Sequence, residues 1–242
     1  MNLTLISENL SKIINNYQDQ KDIDLYIPYY HDKNATRREE LMLCLKLNTQ
    51  NSLFKHIFIM NESDPKPDFI EKSDRIQIIN CGRLKFQGIF KYASELSGKE
   101  TTKILINTDI VIGENFDQLT LTEKQFICLS RHDIMSDGQY RINVGGGSHD
   151  CWIWKDTLKS DIGQFFMGKF LCDGVLTNEL YGNHYQLKNP VYDLKIYHVH
   201  QSGVRNYSYT DKVIGQRVGI IFSKNDGIFN SKDLYNDGFN WS

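Results

Sequence analysis

Ile104-Leu105-Ile106-Asn107-Thr108-Asp109-Ile110 is an apolar run that closes on polar residues. With Lys103 in front it reads as a buried strand, Lys103 to Ile110. A carboxylate left unpaired inside a core costs several kcal/mol. Asp109 must therefore meet water, a hydrogen-bond network or a cation. A strand-end Asp that caps the next turn satisfies this requirement. So does one that holds a hard divalent cation, which prefers oxygen ligands. Spacing alone does not separate the two.

The strands before this one carry the same signature. Ile23 to Tyr30, His56 to Met60 and Arg75 to Cys81 are short apolar runs. Helical patterns lie between them. Thr36-Arg37-Arg38-Glu39 has the form of a capping box. The helix it opens should carry Leu41, Cys44, Leu45 and Asn48 on one stripe. Phe86 to Leu96 repeats Phe86, Ile89, Phe90 and Ala93 at helical spacing. Strands alternating with helices predict an α/β fold, a mainly parallel sheet covered on both faces. Ligands of such sheets bind beyond the carboxyl ends of the strands. The polar strand ends are then the first candidates for a site: Tyr29 and Tyr30, Asn61 and Glu62, Arg83, Asn107 and Asp109.

The second half is less regular. Gln125 to Arg131, Cys151 to Trp154 and Lys195 to His200 read as strands, Tyr140 to His149 as a glycine-rich loop and Asp173 to Tyr181 as a helix. Trp152 and Trp154 share one strand face and are expected in the core. Gly145-Gly146-Gly147 lacks the Gly-Lys-Ser/Thr of a phosphate loop; it reads as a mobile acceptor-side loop or a plain turn. Ser148-His149-Asp150 is no hydrolase triad, since triad members converge from separate parts of a fold.

Four residues or pairs remain as chemistry-bearing candidates. His198 and His200 alternate onto one face of a strand, so they can share a site. With Ser202 and Arg205 the segment is polar enough to line a diphosphate. Asp173 opens a helix, where a negative charge is favourable, and it also suits a general base. Asp150 competes for that role. Arg37 and Arg83 are candidates for bidentate phosphate binding.

Composition bounds the class. The 28 basic and 30 acidic residues give a net charge of -2, which lacks the basic excess of nucleic-acid-binding domains. The five cysteines are odd in number and form no C-x-x-C pair, which fits a reducing, cytoplasmic setting. Residues 1–22 carry Leu3, Ile6, Leu10, Ile13, Ile14 and Tyr17 at helical spacing, an amphipathic helix for the body of the protein or for a partner. No stretch there is long and apolar enough for a signal peptide or transmembrane segment. The expected organisation is this helix, a catalytic domain over residues 23–210, and a peripheral tail over 211–242, polar apart from Val218 to Phe222.

The ordered set of these pieces resembles the GT-A glycosyltransferases. The match is to small glycosyltransferase-like proteins of bacteria, algae and large DNA viruses in particular. It is carried by Ile27-Pro28-Tyr29-Tyr30, the run from Asn34 to Asn48, Arg83-Leu84-Lys85-Phe86 and Asn107-Thr108-Asp109-Ile110. Further on come Ser130-Arg131-His132-Asp133, the run from Ser148 to Ile153, Gly168 to Asp173, Asn189-Pro190, and His198 to Ser202. The resemblance implies a GT-A-like mixed, mainly parallel sheet. It also implies transfer of a hexosyl or deoxyhexosyl unit from a UDP- or GDP-linked sugar to a hydroxyl acceptor of glycan type.

Carried across, Pro28, Tyr29, Tyr30, Arg37 and Arg83 would bind the donor. So would Asn107, Thr108, Asp109 and Arg131. Asp109 would be the ligand of a divalent metal, Mn2+ or Mg2+, with His198 or His200 completing its site. Asp173 or Asp150 would be the base, and a positioned base points to inversion at the anomeric carbon. Asn107 departs from the family pattern, whose motif begins with an acid, and leaves Asp109 as its only carboxylate. The rival reading is a catalytically silent sugar-nucleotide or glycan-binding module of the same architecture.

Overall fold

Alternation along Ile23–Tyr29 separates the two cores that cover the faces of the main sheet. This strand, β1, is buried at every position. Ile23, Leu25, Ile27 and Tyr29 enter one core cluster, and Tyr26 enters another on the opposite face. A computed structural model shows the arrangement for residues 3–67, 70, 73–135, 138–143, 148–205, 208–226 and 234–236. The glycines at 145–147 lie outside the described residues.

β1 pairs in parallel with β2 (His56–Asn61) on one side and with β4 (Thr102–Ile106) on the other. β3 (Ile76–Asn80) continues beyond β2. On the far side of β4 lie β9 (Cys151–Trp154), β6 (Gln125–Leu129) and β10 (Gln186–Lys188). The seven strands run in the order β10-β6-β9-β4-β1-β2-β3, parallel except that β9 is antiparallel to both its neighbours. The chain thus winds outward from β1 to β3 and returns to add β4 on β1's other side. That reversal leaves a crevice at the carboxyl ends of β1 and β4, where ligands of open α/β sheets bind.

α2 (Ala35–Gln50) contributes Leu41 and Leu45 to the first core. α3 (Phe86–Leu96) and α4 (Cys172–Gly182) cover the other face. Trp152 and Trp154 are buried there, Trp152 edge-on to Phe86 at 5.0 Å and Trp154 edge-on to Phe90 at 5.1 Å. Truncating either to Ala would cost about 3–5 kcal/mol by cavity formation. The helix cap differs from the expected box. α2 starts one residue before Thr36, and Asn34 Oδ1 accepts the Arg37 backbone N–H at 3.0 Å. Asn34 is itself a strong N-cap residue, so the helix gains a turn's start upstream.

The expected strand through Ile110 is two strands. It breaks at Asn107, where a turn closes with the Ile110 N–H on the Asn107 carbonyl at 3.1 Å. β5 (Ile110–Ile112) then joins a second sheet of order β5-β11-β7-β8, with β11 (Ile196–His198), β7 (His132–Ile134) and β8 (Tyr140–Ile142). The outer edge of β5 is satisfied by the buried side chain of Asn48 on α2. Asn48 donates to Ile110 O at 2.7 Å and accepts from Ile112 N at 3.0 Å. Asp109 is thereby fixed between the two sheets.

α1 (Leu3–Ile14) lies on the body of the protein. Ile6, Leu10 and Ile14 pack with Cys44 and Leu47 of α2 and with Val111, Tyr197 and Val199 of the second sheet. Within 211–226, expected to be peripheral, Val213 and Ile220 are buried in the second core. β12 (Val218–Ile220) pairs with β13 (Leu234–Asn236). All five cysteines are free, and among the described residues no helix is long and apolar enough to cross a membrane.

Candidate functional site

The carboxyl ends of the strands surround a cleft of about 380 Å3. Pro28 and Tyr30 come from the end of β1, Glu62 from β2 and Arg83 from the loop after β3. Asn107, Thr108 and Asp109 come from the turn after β4, and Arg131 from the end of β6. Asp150 precedes β9, whose antiparallel direction brings its start to the same edge. His198 and His200 arrive on the end of β11.

Thr108 ties the two central strands together, its hydroxyl donating to Pro28 O at 2.5 Å. The Val199 N–H donates to Asp109 O at 2.9 Å, which sets the histidine strand against the same turn. Oδ2 of Asp109 is the focus of one wall. It accepts from Arg37 Nη2, faces Nε2 of His198 at 3.1 Å, and lies 3.9 Å from Nδ1 of His200. The Asp109 side chain is 14% exposed and the Arg37 side chain 6%. Burial opposes ionisation of Asp109. His198 and Arg37 outweigh it and hold the carboxyl well below the usual carboxylate range. Burial disfavours the charged His198 ring, but Asp109 and Asp133 raise it to about 9. Burial, with Arg37 and His198 nearby, pushes His200 down.

Arg37 is itself held from behind. Its Nη1 donates to Glu40 Oε2 at 3.0 Å and to Val199 O at 3.3 Å. Glu40 is fully buried and accepts from Gln201 N, Ser202 N and Ser202 Oγ at 2.6, 2.6 and 2.9 Å. A buried carboxylate with this many donors is satisfied.

The second wall is acidic. Asp150 is 5% exposed and accepts from Asn107 Nδ2 at 2.6 Å and from Arg131 Nη1 at 2.7 Å. This accounts for Asn107. An acid there would set two carboxylates against each other, whereas the amide donates. Asp173 stands at the start of α4, and the Cys172 thiol donates to it at 3.2 Å. Burial, reinforced by the charge of Asp150, pushes Asp173 up to about 7. Glu62 is likewise raised to about 7 by burial, with Arg83 working against the shift.

Eleven of the expected site residues therefore line one cleft: Pro28, Tyr30, Arg37, Arg83, Asn107, Thr108, Asp109, Arg131, Asp150, His198 and His200. Two do not. Tyr29 is 2% exposed and packs in the first core, because alternation sends it to the face of Ile23, Leu25 and Ile27. Asp173 is not part of the lining; the Cys172 thiol donates to it and the charge of Asp150 acts on it. Glu62 and Arg205, named earlier only as a strand end and a polar neighbour, also line the cleft, together with Met167 and Val204. Sequence reasoning missed Asp133 and Glu40 as parts of the network. Asp133 had a signal, since alternation along β7 puts it on the face of Arg131.

Asp109, His198 and His200 each offer one ligand atom, all within 4.8 Å of one another. The Nε2 of His200 is buried with no hydrogen-bond partner among the described residues. One carboxylate and two imidazoles fit a single first-row divalent ion such as Mn2+ better than Mg2+, which demands oxygen ligands. Arg37 and the proton on His198 compete for the same oxygen.

No family model matches the chain, and no curated protein matches it either.

Proposed function

We propose that the protein is a GT-A-like glycosyltransferase. It takes a nucleotide-diphosphate sugar as donor and a hydroxyl, of glycan type, as acceptor. The observation that carries the reading is one cleft, at the switch point of the sheet, lined both by the Arg37–Asp109–His198 group, the cationic wall, and by Asp150 with its partner Arg131, the acidic wall. The two walls suit the two charge changes of the reaction. Arg83 and Arg205, exposed and part of the cleft's lining at its mouth, would grip the diphosphate together with the Asp109 group. A divalent cation held by Asp109, His198 and His200 would add positive charge against the departing diphosphate.

Of the two candidate bases, Asp150 lines the cleft and Asp173 does not. In the transfer the acceptor oxygen bonds to the anomeric carbon as the bond from that carbon to the diphosphate oxygen breaks. The acceptor proton passes to the carboxylate. A positioned general base of this kind contributes about 10²–10⁴-fold, and direct displacement inverts the anomeric centre.

The second reading, a silent sugar-nucleotide or glycan-binding module, is favoured by one observation. Arg37 already occupies Asp109. A thermal-shift panel of UDP- and GDP-linked sugars, with and without Mn2+, tests the common part. A true donor at about 100 times its Kd stabilises by about 2.7 kcal/mol. Anomeric NMR of the product then separates transfer from silent binding. No stabilisation by any donor contradicts the transfer reading and the sugar-nucleotide form of the second.

A further inference from the structure

The polar network has a junction in the second sheet. Asp133 lies on β7, and the parallel register of β7 with β11 sets it directly beside His198. Its Oδ1 accepts from Nδ1 of His198 at 2.8 Å and from Nε of Arg131 at 2.8 Å. Its Oδ2 accepts from Nδ2 of Asn143 at 2.8 Å. Each of the first two partners reaches into a different wall of the cleft. The other ring nitrogen of His198 faces Asp109 at 3.1 Å. The other end of Arg131 holds Asp150 at 2.7 Å.

A single carboxylate thus fixes the tautomer and orientation of a ring in the cationic wall. It also fixes the guanidinium that aims the acid of the opposite wall. The hydrogen bond on one imidazole nitrogen decides what the other presents. A misplacement of about 1 Å between reacting groups costs roughly 10²-fold in rate. From this geometry we propose that Asp133 is the positioning residue that keeps the two walls of the cleft in register. The inference rests on the transfer reading above and adds a residue that touches neither substrate nor cation.

The test compares wild type, Asp133→Ala and Asp133→Asn by NMR of 15N-labelled histidine, and titrates each with Mn2+ alone by electron paramagnetic resonance. Wild type is expected to show a slowly exchanging Nδ1–H on His198. Asp133→Ala should lose it and bind Mn2+ about 10–100-fold more weakly, the usual cost of removing a carboxylate behind a ligand histidine. Asp133→Asn keeps an acceptor oxygen and should retain part of both; it replaces the alanine variant if that chain does not fold. An Nδ1–H that persists without Asp133, or an Mn2+ affinity unchanged by its removal, overturns the inference while leaving the transfer reading intact. If wild type binds no Mn2+, the cation part of the transfer reading falls, and the Nδ1–H alone decides for or against Asp133.

Discussion

Asp109 and Asp173 are two sheltered carboxyl groups, one lining the cleft and one outside its lining, and their surroundings drive them in opposite directions. Asp109 has Arg37 and His198 within hydrogen-bond reach and is held ionised against its burial. Asp173 has Asp150 for a neighbour, and burial pushes it up to about 7. The first arrangement stores a fixed negative charge that a cation or guanidinium can share. The second keeps a carboxyl group poised to exchange a proton near neutrality, which is what acid-base work needs. The lesson is that burial alone does not assign a role to an acid. The sign of the nearest charge does.

The sharpest way to break the comparison is to remove Asp109. Asp109→Ala would remove the carboxylate that Arg37 and His198 share, leaving Arg37 with Glu40 alone and His198 with Asp133 alone. Loss of one member of a buried ion pair costs about 3–5 kcal/mol. Urea unfolding should show that loss, and Asp109→Ala should be less stable than a matching Asp173→Ala. An Asp109→Ala midpoint equal to that of wild type would mean that the Arg37–Asp109 pair contributes nothing.

The next test concerns pH. The folded-state value of Asp173 is raised from 3.8 to about 7. Between those values the folded protein holds a proton that the unfolded chain has released. Its contribution to stability is therefore complete below the unfolded value and is lost as pH rises through about 7. Asp109 has the opposite sign. Its contribution is present above the unfolded value and is lost as pH falls toward its depressed folded value. Asp173→Asn should flatten the decline in unfolding free energy between about pH 4 and 7. An unchanged slope would show that Asp173 titrates in the ordinary carboxylate range.

The smallest effect is expected at the mouth. Arg83 is exposed, donates to Met167 O at 3.1 Å and stacks over Phe166 at 5.3 Å. One hydrogen bond to a charged group contributes about 1.5–3 kcal/mol. Arg83→Ala should thus weaken donor binding about tenfold by calorimetry and leave the Asp109 group undisturbed. A change in Mn2+ binding would show that the mouth and the cationic wall are not separable.

The contrast between the two acids was only half legible in the sequence. Asp109 could be placed because an apolar run ending in a carboxylate admits few environments. The first three strands, α3 and the strand-end location of the site followed from local periodicity. The break after Ile106 did not, because what ends β4 is a non-local event: Asn48 and β11 capture the next three residues for a second sheet. Tyr29 was misplaced although strict alternation from Ile23 puts it in the core. Asp173 could be set on a helix start, but no spacing says that Asp150 lines the cleft and Asp173 does not. Asn107 looked like a defect of the motif until its amide was seen holding Asp150.

The most direct test of the transfer reading is release of nucleoside diphosphate from a panel of UDP- and GDP-linked sugars in the presence of glycan acceptors, by wild type and by Asp150→Asn. Wild type should release diphosphate from at least one donor. Asp150→Asn should still bind that donor but release it about 10²–10⁴-fold more slowly. No release from any donor, or equal release by the variant, would contradict the account.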